Sequence, residues 1–176
     1  MVTDLNEMIR ANIVQGDAGQ YLDFWRMMSN PENMEIIGDE FQKRIKGAYD
    51  ITAAIDDEGL VLSTIIGRRI GVGMCNAYSK YFSDGDIAYY VSPKGGLKDK
   101  SVLLTTGEIT DWYKQLQGAN RIIFNGGNPK AIATLIDYDK SFELFRQGKS
   151  AKENISKHLQ RDVDVISLVK ESDLKL

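Results

Sequence analysis

The sequence is poor in the residues that cross-link chains or ligate metals. Cys75 is the only cysteine and His158 the only histidine in 176 residues, which excludes a disulfide framework and a His-Cys zinc cluster. Each is read as ordinary packing or surface. Prolines number only three, and no Pro-rich linker, internal repeat or low-complexity tract breaks the chain. No apolar run reaches the roughly 18 to 20 residues of a membrane span. The stretch MVTDLNEMIRANIV carries acids where a signal peptide is basic and then apolar. The expectation is a soluble, cytoplasmic protein with no membrane partner. Excess positive charge is lacking too: the formal net charge is -3 with both signs interspersed, so the field that drives non-specific nucleic-acid binding is missing. Walker A, G-x-G-x-x-G and HExxH motifs are absent. With His158 in SAKENISKHLQR, read as a surface helix, a Ser-His-Asp device has no evident assembly.

What is present is a well-patterned α/β chain long enough to bury a core as one domain, residues 1–176. SNPENMEIIGDEFQKRIKG reads as a helix: Asn30 caps, Pro31 suits the first position, Met34, Ile37, Phe41 and Ile45 recur at helical spacing, and Gly47 stops it. YDITAAI, DDEG, LVLSTIIGRRIG and VGMCNAY then read as strand, loop, helix, strand, a βαβ unit. DIAYYVS alternates like a hairpin strand, followed by the turn PKGGLKDK. SVLLT is a buried strand, then a loop, then a helix to about Asn125 closed by Gly126 and Gly127. KAIATLIDY, a helix over 151–160 and VDVISLV complete the chain. Such alternation predicts a mainly parallel twisted sheet with helices on both faces and a small hairpin or hood element. Ligands of these sheets sit beyond the carboxyl ends of the strands, so the loops after Ile55 and Leu104 are the places to seek function.

The ordered segments YLDFWRMMSNPENMEIIGDEFQKRI, YDITAAIDDEGLVLSTIIGRRIG, LKDKSVLL, AIATLIDYD and ISLVKESDL resemble the type I phosphoribosyltransferases, and among them the orotate phosphoribosyltransferases. The likeness spans nearly the whole chain. It implies transfer of ribose 5-phosphate from phosphoribosyl pyrophosphate to a nucleobase such as orotate, with Mg²⁺ as cofactor, a nucleotide or nucleobase ligand and a homodimer. Chemically, the pyrophosphate needs a cation, the 5-phosphate a nest of backbone N–H groups, and the ribosyl cation nearby carboxylates.

Carried over residue by residue, the resemblance places Asp56, Asp57, Glu58 and Gly59 at the pyrophosphate loop, Thr105 before the two acidic ribose positions, and Thr106 and Gly107 at those positions. Thr110, Asp111, Trp112, Tyr113 and Lys114 fall on the phosphate turn, Tyr138 on the base-binding arginine, and Lys80 near a phosphate-binding Arg-Lys pair with Ser79 replacing the arginine. A register slipped onto TTGE puts Ser101 and Val102 at the acidic positions instead. Either way the ribose carboxylates are missing and the motif is degenerate. Asp111 beside a phosphate costs roughly 4 kcal/mol at 4 Å and an effective dielectric near 20, about a thousandfold in affinity. Tyr138 makes one hydrogen bond where arginine makes a bidentate pair. Trp112 and Tyr113 suit stacking on a base or sugar, plugging a vacated phosphate site, or burial in a partner. Asp56, Asp57 and Glu58 read as a solvated acidic turn at a helix start or as a cation, metal or amine site. Two expectations of different kinds follow: a non-catalytic binding or regulatory relative, or a divergent active phosphoribosyltransferase with a rebuilt site.

Overall fold

The computed structural model describes residues 4–16, 19–81, 87–92, 96–110, 112–139 and 147–174. In chain order the elements are α1 (Leu5–Arg10), β1 (Ile13–Gly16), β2 (Gly19–Leu22), α2 (Phe24–Met28), α3 (Pro31–Arg44), β3 (Ile51–Ala54), α4 (Asp57–Ile70), β4 (Gly73–Tyr81), β5 (Ile87–Ser92), β6 (Ser101–Ile109), α5 (Tyr113–Phe124), β7 (Asn128–Asp137), α6 (Ala151–Leu159), β8 (Asp164–Lys170) and α7 (Glu171–Leu174). β1 and β2 pair as a separate antiparallel hairpin. The other strands form one sheet in the order β5-β4-β3-β6-β7-β8. Every pairing in it is parallel except β4 with β5.

Alternation along the strands divides the core in two. Leu103, Ala131, Ala133 and Leu135 pack with Leu62 and Ile66 of α4 and with Ile37 and Phe41 of α3. Their neighbours Val102, Leu104 and Ile132, with Ile51, Ala53 and Ile55, pack with Ala119 and Ile122 of α5 and Ala151 and Ile155 of α6. A period of two thus feeds both faces, and near-continuous apolar strands result. Thr52 is the polar exception on β3. It is wholly buried, and its hydroxyl accepts a 2.7 Å bond from Ser63 of α4, so the helix is pinned to the sheet without a stranded donor.

Asn30 caps α3 with Pro31 at its start, as read from the sequence, and Gly71 closes α4 in the left-handed conformation. Two details correct the sequence reading and two sharpen it. Gly47 does not stop α3, which ends at Arg44 because Ile45 is already extended. Of the two readings of DDEG the helix start holds and the loop does not: Asp56 is the N-cap of α4 and Asp57, Glu58 and Gly59 its first turn, favoured by the macrodipole. The strand SVLLT does not yield to a loop after Leu104 but runs through Thr106, Gly107 and Glu108 to Ile109, held by parallel pairing of Glu108 with Ile136 and Ile109 with Asp137. At the end of α5, Gly126 alone takes a positive φ, with the bonds of a Schellman cap running from Gly127 to Ile122 and from Gly126 to Ile123.

Candidate functional site

β3 and β6 are adjacent, yet the chain leaves β3 toward β4 on one side and β6 toward β7 on the other. That reversal opens a crevice at the carboxyl ends of the two strands. A cavity of about 350 Å³ lies there, lined by Trp25, Asp56, Asp57, Glu58, Glu108, Thr110 and Lys114. Four carboxylates therefore face one ammonium among the described residues.

Asp56 organises the cluster. One carboxylate oxygen accepts the Gly59 N–H at 2.5 Å, capping α4. The other accepts the Thr106 hydroxyl at 2.5 Å and pairs with Lys114 Nζ at 2.6 Å. The first turn of α4 presses so closely on β6 that a Cβ on Gly59 would run into the Thr105 carbonyl, whose carbon lies 2.8 Å from that position. The Thr105 hydroxyl in turn donates to the Gly59 carbonyl at 2.7 Å. Gly107 plays the reciprocal part: a Cβ there would fall inside the Glu58 side chain, 2.7 Å from its Cβ. Glycine at 107 is what lets Glu58 lie across the strand.

Burial, then the charges of Glu108 and Asp56, push the Glu58 carboxyl up to about 7, against a weaker opposing pull from Lys114. Glu108 is also raised, chiefly by burial. Its carboxylate accepts the Tyr138 hydroxyl at 3.3 Å, and that phenol oxygen accepts the Leu22 N–H at 3.2 Å. Tyr138 is buried and its ionisation is driven far up by burial, so it serves as a neutral bridge from the β1–β2 hairpin to the site.

Among the candidate residues, Asp56, Asp57, Glu58 and Thr110 line the cavity, while Gly59, Thr105, Thr106, Gly107 and Tyr138 build its walls through the contacts above. Trp112 and Tyr113 follow at the start of α5, where Trp112 is half-buried against the core and Tyr113 is exposed. Lys80 is on β4 with its Cα opposite Ala88, and its side chain lies outside the described residues, as does Asp111. Among the described residues no group of three or more His, Cys, Asp or Glu side chains is placed to hold an ion, and both oxygens of Asp56 are already committed. Glu108 and Trp25 were missed by the sequence reading. The signal for Glu108 was an acid inside an otherwise buried strand; Trp25 had none beyond its position two residues after Asp23.

Cys75 is buried, with burial raising its thiol to about 11, which leaves it inert packing. Within the described residues no helix is long and apolar enough to cross a membrane.

This arrangement, a doubly covered, mostly parallel sheet with a crevice at its reversal point and a separate hairpin beside it, is the type I phosphoribosyltransferase-like α/β fold. No family model matches the sequence, and no curated protein is similar to it in sequence. Solved structures do match in shape. Orotate phosphoribosyltransferase from Aeropyrum pernix superposes with a TM-score of 0.76 at 14% identity, covering 97% of this chain and 96% of that one. Adenine phosphoribosyltransferase from Giardia lamblia, complexed with 9-deazaadenine, gives 0.73 at 14% identity over 97% and 99% of the two chains. The adenine enzyme from Trypanosoma brucei, complexed with AMP, pyrophosphate and ribose 5-phosphate, gives 0.71 at 15% identity over 97% and 81%. Identities this low establish the shared fold; function rests on the site.

Proposed function

We propose that this chain is a phosphoribosyltransferase-like protein of nucleotide metabolism that has lost ordinary phosphoribosyl pyrophosphate binding and works as a non-catalytic binding or regulatory module for an uncharged or cationic nucleobase-like ligand. One observation carries the reading: the cavity at the β3/β6 crevice is lined by Asp56, Asp57, Glu58 and Glu108, and its one ammonium among the described residues, Lys114, is paired with Asp56. A polyanion entering it meets the Asp57 carboxylate and, as pH rises through neutrality, the ionising Glu58 as like charges, at a cost of roughly 1–4 kcal/mol at 4 Å. A neutral base faces no such penalty, and Trp25 at the rim offers a ring to stack on. A homodimer in the cytoplasm accompanies this reading as an expectation from the resemblance, and light scattering at micromolar concentration checks the dimer.

Titration of phosphoribosyl pyrophosphate with Mg²⁺, followed by heat or melting temperature, is expected to show no binding tighter than about 100 μM, roughly 5 kcal/mol. Saturable binding below that value overturns the proposal. The second reading, an active enzyme of altered chemistry, is favoured by Glu58, whose raised carboxyl suits general acid-base work near neutrality. It requires turnover of some sugar phosphate that Glu58→Gln abolishes.

A further inference from the structure

The link from β6 to α5 holds an aromatic residue in a backbone conformation that aromatics avoid. Four described residues other than glycine have positive φ: Asp99, Trp112, Gln147 and Gln160. Trp112, at 67°, is the bulky one, and it stands in sequence between Thr110 and Lys114, both of which line the cavity. An L residue with a large side chain is disfavoured there by roughly five- to thirtyfold, and glycine would meet no such resistance. The conformation therefore requires contacts around Trp112 that hold it, beyond the helix bond its carbonyl accepts from Leu116.

Those contacts come from the far side of α5. The indole packs against the apolar cluster beneath α5 and α6. It also lies over the His158 imidazole, with centroids 4.6 Å apart and planes inclined by 35°. His158 is itself fixed: its Nδ1 is 2.8 Å from the Asn154 carbonyl oxygen one turn back on α6, so Nδ1 carries the hydrogen and donates. The chain around Trp112 reaches the cavity in both directions. Thr110, two residues earlier, lines it, and Lys114, two residues later, spans it to Asp56.

We propose that the Trp112–His158 contact is a conformational latch: α6, through His158, holds the strained Trp112 backbone at the start of α5 in place, and so keeps Lys114 on Asp56 at the cavity. Opening the latch lets Trp112 leave the left-handed region, swings the first turn of α5 and uncouples Lys114 from Asp56, leaving the cavity more negative. The inference rests on backbone and ring geometry and stands whether or not the cavity takes phosphoribosyl pyrophosphate.

Trp25→Phe leaves Trp112 as the single tryptophan, and its emission reports the latch directly. In that background His158→Ala is expected to shift the emission to longer wavelength and to speed amide exchange of residues 113–116 by about tenfold or more, while residues 60–66 of α4 exchange unchanged. His158→Phe, which keeps a ring, stays close to the parent in both readouts. Trp112→Gly removes the strain, so adding His158→Ala to it produces no further exchange increase. Unchanged emission and exchange in His158→Ala overturn the proposal. So does an equal increase from His158→Ala with and without Trp112→Gly, since the histidine then acts on α5 without the tryptophan.

Discussion

Glu58 should make the protein lose stability as pH rises toward neutrality, the reverse of the usual carboxylate behaviour. In the unfolded chain this glutamate titrates near 4.5; in the fold it titrates at about 7. Between those values the unfolded chain sheds the proton first and the folded state keeps it. The folded state then binds more protons, and stability falls with rising pH. Glu58's contribution is intact below pH 4.5, declines through the interval and is gone above 7. At 1.36 kcal/mol per pH unit the difference corresponds to about 3 kcal/mol, and solvent reaching the half-buried carboxyl screens it to about 1–2 kcal/mol. Glu58→Gln keeps the shape of the side chain over Gly107 and removes the charge. Urea unfolding at pH 5, 6, 7 and 8 is expected to show a downward slope in wild type that is flatter in the variant, with the variant more stable at pH 8 by about 1–2 kcal/mol. For a chain of this length that is about 2–8 °C in melting temperature. Glu108, raised in the same sense, leaves a residual slope, so the comparison of slopes carries the test. Identical slopes in the two proteins would mean that Glu58 is ionised in the fold at no cost and that its environment does not raise it.

Gly107→Ala should destabilise by about 1–3 kcal/mol through collision with Glu58, and Glu58→Ala in the same chain should recover at least half of that; a double-mutant cycle by urea melts decides. Tyr138→Phe removes the hydroxyl bridging Leu22 and Glu108 and is expected to cost about 1–3 kcal/mol, with loss of amide protection at Leu22 by hydrogen exchange. Asp56→Ala loses the α4 cap and the partner of Lys114, a cost of about 0.5–2 kcal/mol from the cap alone, read by thermal melting. Phe124→Ser, at a side chain 92% exposed, should change monomer stability by less than about 0.5 kcal/mol; a larger loss in dilute protein would show the ring to be covered in solution.

The alternation of apolar strands and amphipathic helices was enough to determine the fold class, since burying both faces of VLL, ITAA and AIATLI requires helix layers on either side. The cap at Asn30 was equally local, because the capping bond spans only to Glu32. The site was legible only in part. Asp56, Asp57 and Glu58 stood out as an acidic run after a strand, but whether they formed a loop or a helix start depended on Gly59 docking against Thr105, 46 residues away. Glu108 entered the site because pairing with β7 carried β6 four residues past Thr105 to Ile109, and Lys114 mattered through its reach to Asp56. Charge signs and periodicities act over a few residues and can be read along the chain. The Glu58 carboxyl raised to about 7, the Lys114 ammonium spent on Asp56 and the strained Trp112 stacked on His158 arise from contacts between segments far apart in sequence, so they exist only once the chain is packed.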